Sequence, residues 1–274
     1  MHYLRLAVIV LFVVSAGLFA VTEFNARAGK DSVPPELTAD SEYIEMSVND
    51  PEDKLMEGVR ATDARDGELT DRILMADESF FMEKGECTVN YVVFDYSNNY
   101  STLSRTVRYT DYRSPRFVLK EPLVFSVGSN IKYMDKINAD DVLDGEISNK
   151  IRIISSTVSN YSEGVYPVRL EVINSHGDKS QVDINVVVRS GVSDAMVELS
   201  DYVVYTRVGE EFDPYSLITD VKDSQGESIP NSTVVIRGMV DTNVPGCYTL
   251  MYTYENGTAI DGVYLTVVVE DEQQ

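Results

Sequence analysis

The chain has no tryptophan, two cysteines and two histidines in 274 residues, and its 23 Lys and Arg are outnumbered by 45 Asp and Glu. Each shortage excludes something. Cys87 and Cys247 cannot build a disulfide framework and offer no zinc-type spacing. Beyond His2 the one remaining histidine is His176, in the loop Asn174-Ser175-His176-Gly177. It reads as a solvated turn residue, although residue order alone leaves a Ser-His-Asp arrangement open. Phosphate-binding loops, dinucleotide fingerprints and His-x-x-His pairs are absent, so the chain reads as a non-enzyme without a dedicated cofactor. A net charge of −22 sets it against nucleic acid and acidic membrane surfaces.

Long apolar runs are scarce too. Leu6 to Val21 gives sixteen uncharged residues after Arg5, and no second run of that length follows. As a helix it rises about 24 Å, against a hydrocarbon core of roughly 30 Å, so flanking residues must extend it if it spans. The expectation is a signal anchor over residues 1–30, with Arg5 inside and the chain after about residue 30 outside. The alternative is a signal peptide cut at Ala26-Arg27-Ala28, which would secrete the chain. The polar stretch Glu270-Asp271-Glu272-Gln273-Gln274 reads as no sorting signal, leaving the leader as the expected attachment to a cell.

What is present is organised by a repeat. Gly85, Gly164 and Gly246 each open an alternating run: Cys87, Val89, Tyr91, Val93; then Tyr166, Val168, Leu170, Val172; then Tyr248, Leu250, Tyr252, Tyr254. Such alternation marks one apolar face of a β-strand. Turn formers Asp95, Asn174 and Asn256 close the three runs. Upstream lie Asp63-Ala64-Arg65-Asp66-Gly67, Asp141-Val142-Leu143-Asp144-Gly145 and Asp220-Val221-Lys222-Asp223-Ser224-Gln225-Gly226, with Asp66, Asp144 and Asp223 spaced 78 and 79 residues apart. Each copy ends in a β-rich strand, at 103–109, 182–188 and 263–269. Hydrophobic residues at 43% suffice for packed cores, and no amphipathic helix stands out. The fold class expected is all-β, three tandem β-sandwiches after an N-terminal hydrophobic helix. Domains fall at 31–111, 112–190 and 191–274, joined near 111–115 and 189–191 by connections short enough for a semi-rigid array.

The run Val208-Gly209-Glu210-Glu211-Phe212-Asp213-Pro214, followed by Val240-Asp241-Thr242 and Pro245-Gly246-Cys247-Tyr248-Thr249-Leu250-Met251-Tyr252, resembles the bacterial immunoglobulin-like domain repeated in surface proteins and appended to some pesticidal crystal proteins. Asp66-Gly67-Glu68-Leu69-Thr70 and Tyr91 to Asn99 in the first copy are similar to the same family, the second copy more loosely so. The resemblance covers roughly residues 33–270. It implies a β-sandwich used as spacer or binding module, and it carries no catalytic residues.

Calcium is the candidate ligand. Asp63 with Asp66, Asp140 and Asp141 with Asp144, and Asp220 with Asp223 put oxygen ligands in loops, where six to eight suit a hard cation. The competing reading makes these aspartates Asx turns, with Gly67 and Gly145 at positive φ. Neither EF-hand spacing nor the cadherin linker pattern is present. Cys87 falls on an inward face and reads as a buried thiol. Cys247 falls in an outward register, which leaves a disulfide dimer open, but a whole module separates the two, against the Cα reach of about 6 Å that a bond requires. Seventeen tyrosines raise a carbohydrate reading. Tyr91, Tyr166, Tyr248, Tyr252 and Tyr254 go to cores, however, and the remainder, such as Tyr96, Tyr100, Tyr112, Tyr202 and Tyr205, form no pattern. Four N-x-S/T sequons begin at Asn99, Asn160, Asn231 and Asn256. The function expected is non-enzymatic adhesion, spacing or docking of a surface or secreted protein. The alternative is a module protein binding a cell-wall glycan polymer or calcium.

Overall fold

The computed structural model describes residues 2–28, 31–190, 197–223, 226–254 and 258–271, and within the N-terminal helix the side chains of residues 8–23. That helix, α1, spans His2–Ala28. Among the described residues no helix is long and apolar enough to cross a membrane. This overturns the single-pass anchor, and the location assigned to the chain on its strength falls with it. The physical reason lies in the run itself, whose sixteen residues fall short of the hydrocarbon core. The Ala26-Arg27-Ala28 pattern ends the helix, where side chains lie outside the described residues.

The chain divides into two compact units, Met1–Ser79 with Glu86–Thr110, and Phe80–Gly85 with Asp111–Gln274. In the first unit the strands are β1 (Glu36–Ala39), β2 (Tyr43–Met46), β3 (Val59–Asp63), β4 (Gly67–Glu68), β5 (Leu74–Glu78), β6 (Glu86–Phe94) and β7 (Tyr100–Tyr109). They form two sheets, ordered β1-β3-β4 and β2-β7-β6-β5. All neighbours are antiparallel except β2 and β7, which run parallel over Tyr43↔Thr106 to Met46↔Tyr109. The alternation that marks β6 in the sequence becomes burial: Cys87, Val89, Tyr91 and Val93 are fully buried, and the residues between them face outward. On β3 the same period buries Val59, Ala61 and Asp63. Each fully buried Val or Leu contributes about 1.5–3 kcal/mol. Tyr91 satisfies its buried hydroxyl by donating to Leu55 O at 2.5 Å.

The second unit uses this plan twice. Its strands are β8 (Arg116–Leu119), β9 (Val124–Ser126), β10 (Ile137–Asp141), β11 (Gly145–Glu146), β12 (Arg152–Ser156), β13 (Gly164–Ile173) and β14 (Lys179–Arg189), then β15 (Val197–Leu199), β16 (Val203–Arg207), β17 (Ile218–Val221), β18 (Val234–Arg237), β19 (Gly246–Tyr254) and β20 (Val263–Glu270). The sheets read β8-β10-β11 and β9-β14-β13-β12, then β15-β17 and β16-β20-β19-β18. An early strand again lies parallel to the last one, β9 to β14 and β16 to β20. Tyr252 donates its hydroxyl to Pro214 O at 2.8 Å, as Tyr91 does to Leu55.

The expected junction near residue 190 lies inside this unit, and Gly191 falls outside the described residues. One hydrophobic core runs through both sheet pairs, from Phe117, Val168 and Leu170 to Leu199, Tyr202, Tyr252 and Leu265. Tyr202 N donates to Leu119 O at 2.8 Å. Phe117 N donates to the Tyr205 hydroxyl at 2.7 Å, and the Thr266 hydroxyl donates to Asp183 O at 2.7 Å. Arg116 pairs with Glu270 while its guanidinium lies 4.8 Å over the Tyr205 ring. Such contacts make a packed, desolvated joint rather than a hinge.

Tyrosine placement corrects part of the sequence reading. Tyr112 and Tyr202, expected at the surface, are buried, and Tyr205 is half-buried. Tyr166 and Tyr248, expected in cores, pack half-buried against the core with their hydroxyls donating to Ser162 O and Val244 O, and Tyr254 is half-buried. Both cysteines are free. Burial first, then the nearby Glu78 charge, pushes the Cys87 thiol up to about 12. Cys247 is exposed as a residue, yet its Sγ lies 3.5 Å from Asp183 N.

Candidate functional site

The repeated aspartates build turns in the first two copies. At the end of β3, Asp63 Oδ1 accepts from Arg65 N at 2.7 Å and Asp66 N at 2.9 Å. The chain then reverses through Gly67 at φ 81°. At the end of β10, Asp141 Oδ1 accepts from Leu143 N and Asp144 N, both at 2.9 Å, and Gly145 sits at φ 71°. The second aspartate ties each turn to the loop that follows the long inner strand. Asp66 Oδ2 accepts from Tyr96 N at 2.7 Å, and Asp144 Oδ2 accepts from Ser175 N at 2.8 Å. In the third copy Asp220 accepts from Val221 N at 2.9 Å and from the Ser228 hydroxyl at 3.0 Å, and lies 3.4 Å from Lys222 Nζ. Asp223 accepts from Glu227 N at 3.0 Å. Ser224, Gln225 and Asn256 lie outside the described residues.

What surrounds the first aspartate differs between copies. In the first unit Asp63 meets two carboxylates the sequence reading did not nominate, Asp31 and Asp95, and one oxygen from each lies within 4.8 Å of the others. Asp63 and Asp95 are buried and Asp31 is half-buried. Asp95 Oδ1 accepts from Ser97 N at 2.8 Å and Asn99 N at 2.7 Å, and its Oδ2 accepts from Asn99 Nδ2 at 2.6 Å. Burial is the largest single influence on this carboxyl and pushes its pKa up. The hydrogen bonds from Asn99, Ser97 and Asn98 together outweigh it and hold the pKa below the ordinary carboxylate value. The Asn99 amide also donates to Asp31 O at 3.2 Å, so this sequon asparagine is engaged inside the loop.

In the second unit Asn174 stands where Asp95 stands in the first. Its Oδ1 accepts from His176 N at 3.1 Å and Asp178 N at 2.9 Å, and its Nδ2 donates to Asp141 Oδ2 at 3.2 Å and to the Tyr112 hydroxyl at 2.9 Å. Tyr112 in turn donates to Asp178 Oδ2 at 2.7 Å. Burial, then the Asp178 bond, raise the Tyr112 pKa and keep the phenol neutral. Here the charge of Asp141 meets a neutral amide. Asp144 is satisfied by Lys150 Nζ at 2.7 Å and by the Ser175 hydroxyl at 2.6 Å. Asp140 is exposed on β10.

Of the six aspartates proposed from sequence, Asp63 alone joins other carboxylates in such a group among the described residues. The six do not converge on one site. Asp95 carried a signal, being the charged member of a set whose other members are Asn174 and Asn256; Asp31 carried none. His176 is half-buried, its ring stacked 4.8 Å from Phe81 rather than solvated. Ser175 Oγ bonds both Asp144 and His176 Nδ1, at 2.6 Å and 3.1 Å.

Residues 203–267 match the family model described as bacterial Ig-like domain (group 3). The chain carries a bacterial Ig-like domain. Strands β16, β17, β18 and β19 and most of β20 lie within the matched range. Pesticidal crystal protein Cry22Aa of Bacillus thuringiensis is 27% identical over 204 residues, 71% of this chain and 27% of that protein. The chain therefore spans about a quarter of the length of that relative. Among solved structures, one of Clostridium perfringens ZmpB holding CBM51-2 in complex with GlcNAc and INT domains matches at 21% identity and TM-score 0.24, over 54% of this chain and 26% of that one. A Drosophila N-cadherin EC1-4 structure matches at 12% identity and TM-score 0.22, over 88% and 76%.

Proposed function

We propose that this is a non-enzymatic protein of three tandem Ig-like modules, acting in adhesion, spacing or docking of a protein partner. The observation that carries the reading is the shared core of the second unit. Two sheet pairs joined by buried Tyr202, the Tyr205–Phe117 bond and the Arg116–Glu270 pair form a stiff body. Such a body holds loops and the open edges of β12 and β18 in fixed relation, which lowers the ordering cost of binding. Its concave surfaces include open grooves of about 370 and 380 Å³, shallow for chemistry that must exclude water. The test is capture of bacterial surface proteins on the immobilised chain, with a heat-unfolded chain as control. Specific retention of a protein supports docking, and retention no greater than the control sinks it.

A second reading, calcium binding, is favoured by Asp31, Asp63 and Asp95 alone. Three carboxylates with buried walls form the hard oxygen set that a calcium ion takes, whereas the Asn174 site offers one carboxylate already bonded to an amide. Calorimetric titration of calcium into the chain should give heat and a raised melting temperature, both lost in Asp63→Asn. Neither signal at millimolar calcium would remove this reading and leave docking untouched.

A further inference from the structure

The outward face of the β2-β7-β6-β5 sheet ends in an apolar corner. Phe94 and Tyr100 stand opposite one another on β6 and β7, ring centroids 5.7 Å apart. Leu74 stands beside Val92 on the neighbouring edge strand β5. Tyr96, in the turn between β6 and β7, carries the Arg72 guanidinium 4.3 Å over its ring. Leu74, Tyr96 and Tyr100 are 57%, 72% and 61% exposed, and Phe94 is 39% exposed. Single exposed apolar residues need no explanation, but two tyrosines, a phenylalanine, a leucine and a stacked arginine gathered at one end of a sheet have the composition of a binding hot spot.

The corresponding face of the β9-β14-β13-β12 sheet shows that the fold does not require this. There Ile173 faces Lys179, Glu171 is bonded by Gln181 at 2.7 Å, and Arg169 forks onto Asp183 at 2.7 Å and 2.8 Å. That face pairs its own polar groups, whereas the Phe94–Tyr100 face leaves apolar area in water, which is unfavourable.

Charge selects the occupant. Asp71 adjoins Arg72, Asp77 lies on the same outward face bonded to Asn90 at 3.1 Å, and Asp66 holds the backbone of Tyr96. The whole chain carries −22, so a second copy arrives against its own charge. We propose that this corner docks an extended basic segment of a protein partner. An apolar side chain of the segment covers Leu74, Phe94 and Tyr100, and its Lys or Arg groups lie on the tyrosine faces and against Asp71 and Asp77. The inference rests on the docking reading above and names the surface and the chemistry of the partner.

The experiment immobilises the full chain against a synthetic peptide array that varies net charge from acidic to basic, with and without aliphatic residues, beside a set of neutral oligosaccharides. Basic apolar peptides should be retained, and retention should weaken as salt is raised. Binding should fall about tenfold or more in the double variant Phe94→Ser with Tyr100→Ser, and likewise in Tyr96→Ser. A several-fold drop is expected in Asp71→Asn with Asp77→Asn, and none in Arg169→Ser on the corresponding face of the second unit. Because Tyr96 lies in a turn and is largely exposed, Tyr96→Ser keeps the test readable even if the double variant misfolds. Peptide binding that survives all the aromatic changes overturns the inference while docking stands elsewhere. Equal retention of acidic peptides, retention of oligosaccharides alone, or a dimer lost in Tyr96→Ser overturns it too. Retention of nothing also overturns it, and the docking reading falls as well only if the surface-protein capture fails.

Discussion

The loop that follows the long inner strand is built twice on one backbone design, and the two versions resolve the same electrostatic problem differently. In the first unit Asp95 brings a second buried carboxylate to Asp63 and relies on the N–H groups of Ser97 and Asn99 to hold its charge. In the second, Asn174 supplies an amide to Asp141 and Tyr112 closes the network onto Asp178. One substitution, carboxylate to amide, separates a polar network complete in itself from one with oxygen atoms to spare. The first two copies therefore share a turn geometry while differing in what surrounds the first aspartate.

The comparison can be broken hardest at Tyr112. Its removal in Tyr112→Ala empties a fully buried site and takes one hydrogen-bond partner from each of Asn174 and Asp178, so chemical denaturation of the second unit should show a loss of about 3–5 kcal/mol. Next comes Asn174→Asp, which copies the first unit's charge into the second. An unmatched buried charge beside Asp141 should cost on the order of 1–3 kcal/mol, and calcium should recover part of the lost melting temperature. The reciprocal Asp95→Asn should abolish any calcium-induced rise in melting temperature in the first unit. An unchanged calcium response would show that Asp95 is no ligand.

Acid should separate the two versions more gently. The Asp95 pKa is depressed below the unfolded value of about 3.9, so its stabilising contribution is complete above that value and vanishes as the pH falls through the folded-state pKa. Asn174 does not titrate. The first unit's loop should thus loosen with acid, read as faster amide exchange at Ser97 and Asn99, while His176 and Asp178 keep their Asn174 acceptor. Smallest of all, Lys150→Met removes a partly exposed pair with Asp144 and should shift stability by about 0.5 kcal/mol.

How far the sequence could be read follows from what kind of pattern each feature leaves. Strand faces were legible because burial has period two: Val89, Tyr91 and Val93, or Val168, Leu170 and Val172, are buried where the alternation puts them. The continuous core across residue 190 was not, because Tyr202 and Tyr205 sit near the junction between repeats, where periodicity ranks neither as inward. The same holds for Tyr112, buried by a loop-to-loop network that only tertiary contact creates. At the acidic site half the set was visible. Asp63 belongs to a repeated motif, but Asp31 precedes β1 without any pattern around it. The apolar segment of α1 misled in the other direction, since its freedom from charge was given more weight than its legible shortness.

The parallel pairing of an early strand with the last one has a mechanical meaning. When a module is pulled by its two ends, β2 slides along β7, β9 along β14 and β16 along β20, and every hydrogen bond of the ladder shares the load instead of opening in turn. The ladders differ in length, with five residue pairs for β16, four for β2 and three for β9. Under tension the sheet pair held by β9 should yield at the lowest force and the one held by β16 at the highest, an order that single-molecule extension would read directly as successive steps. Small differences in strand length would then make this repeat a graded series of mechanical fuses.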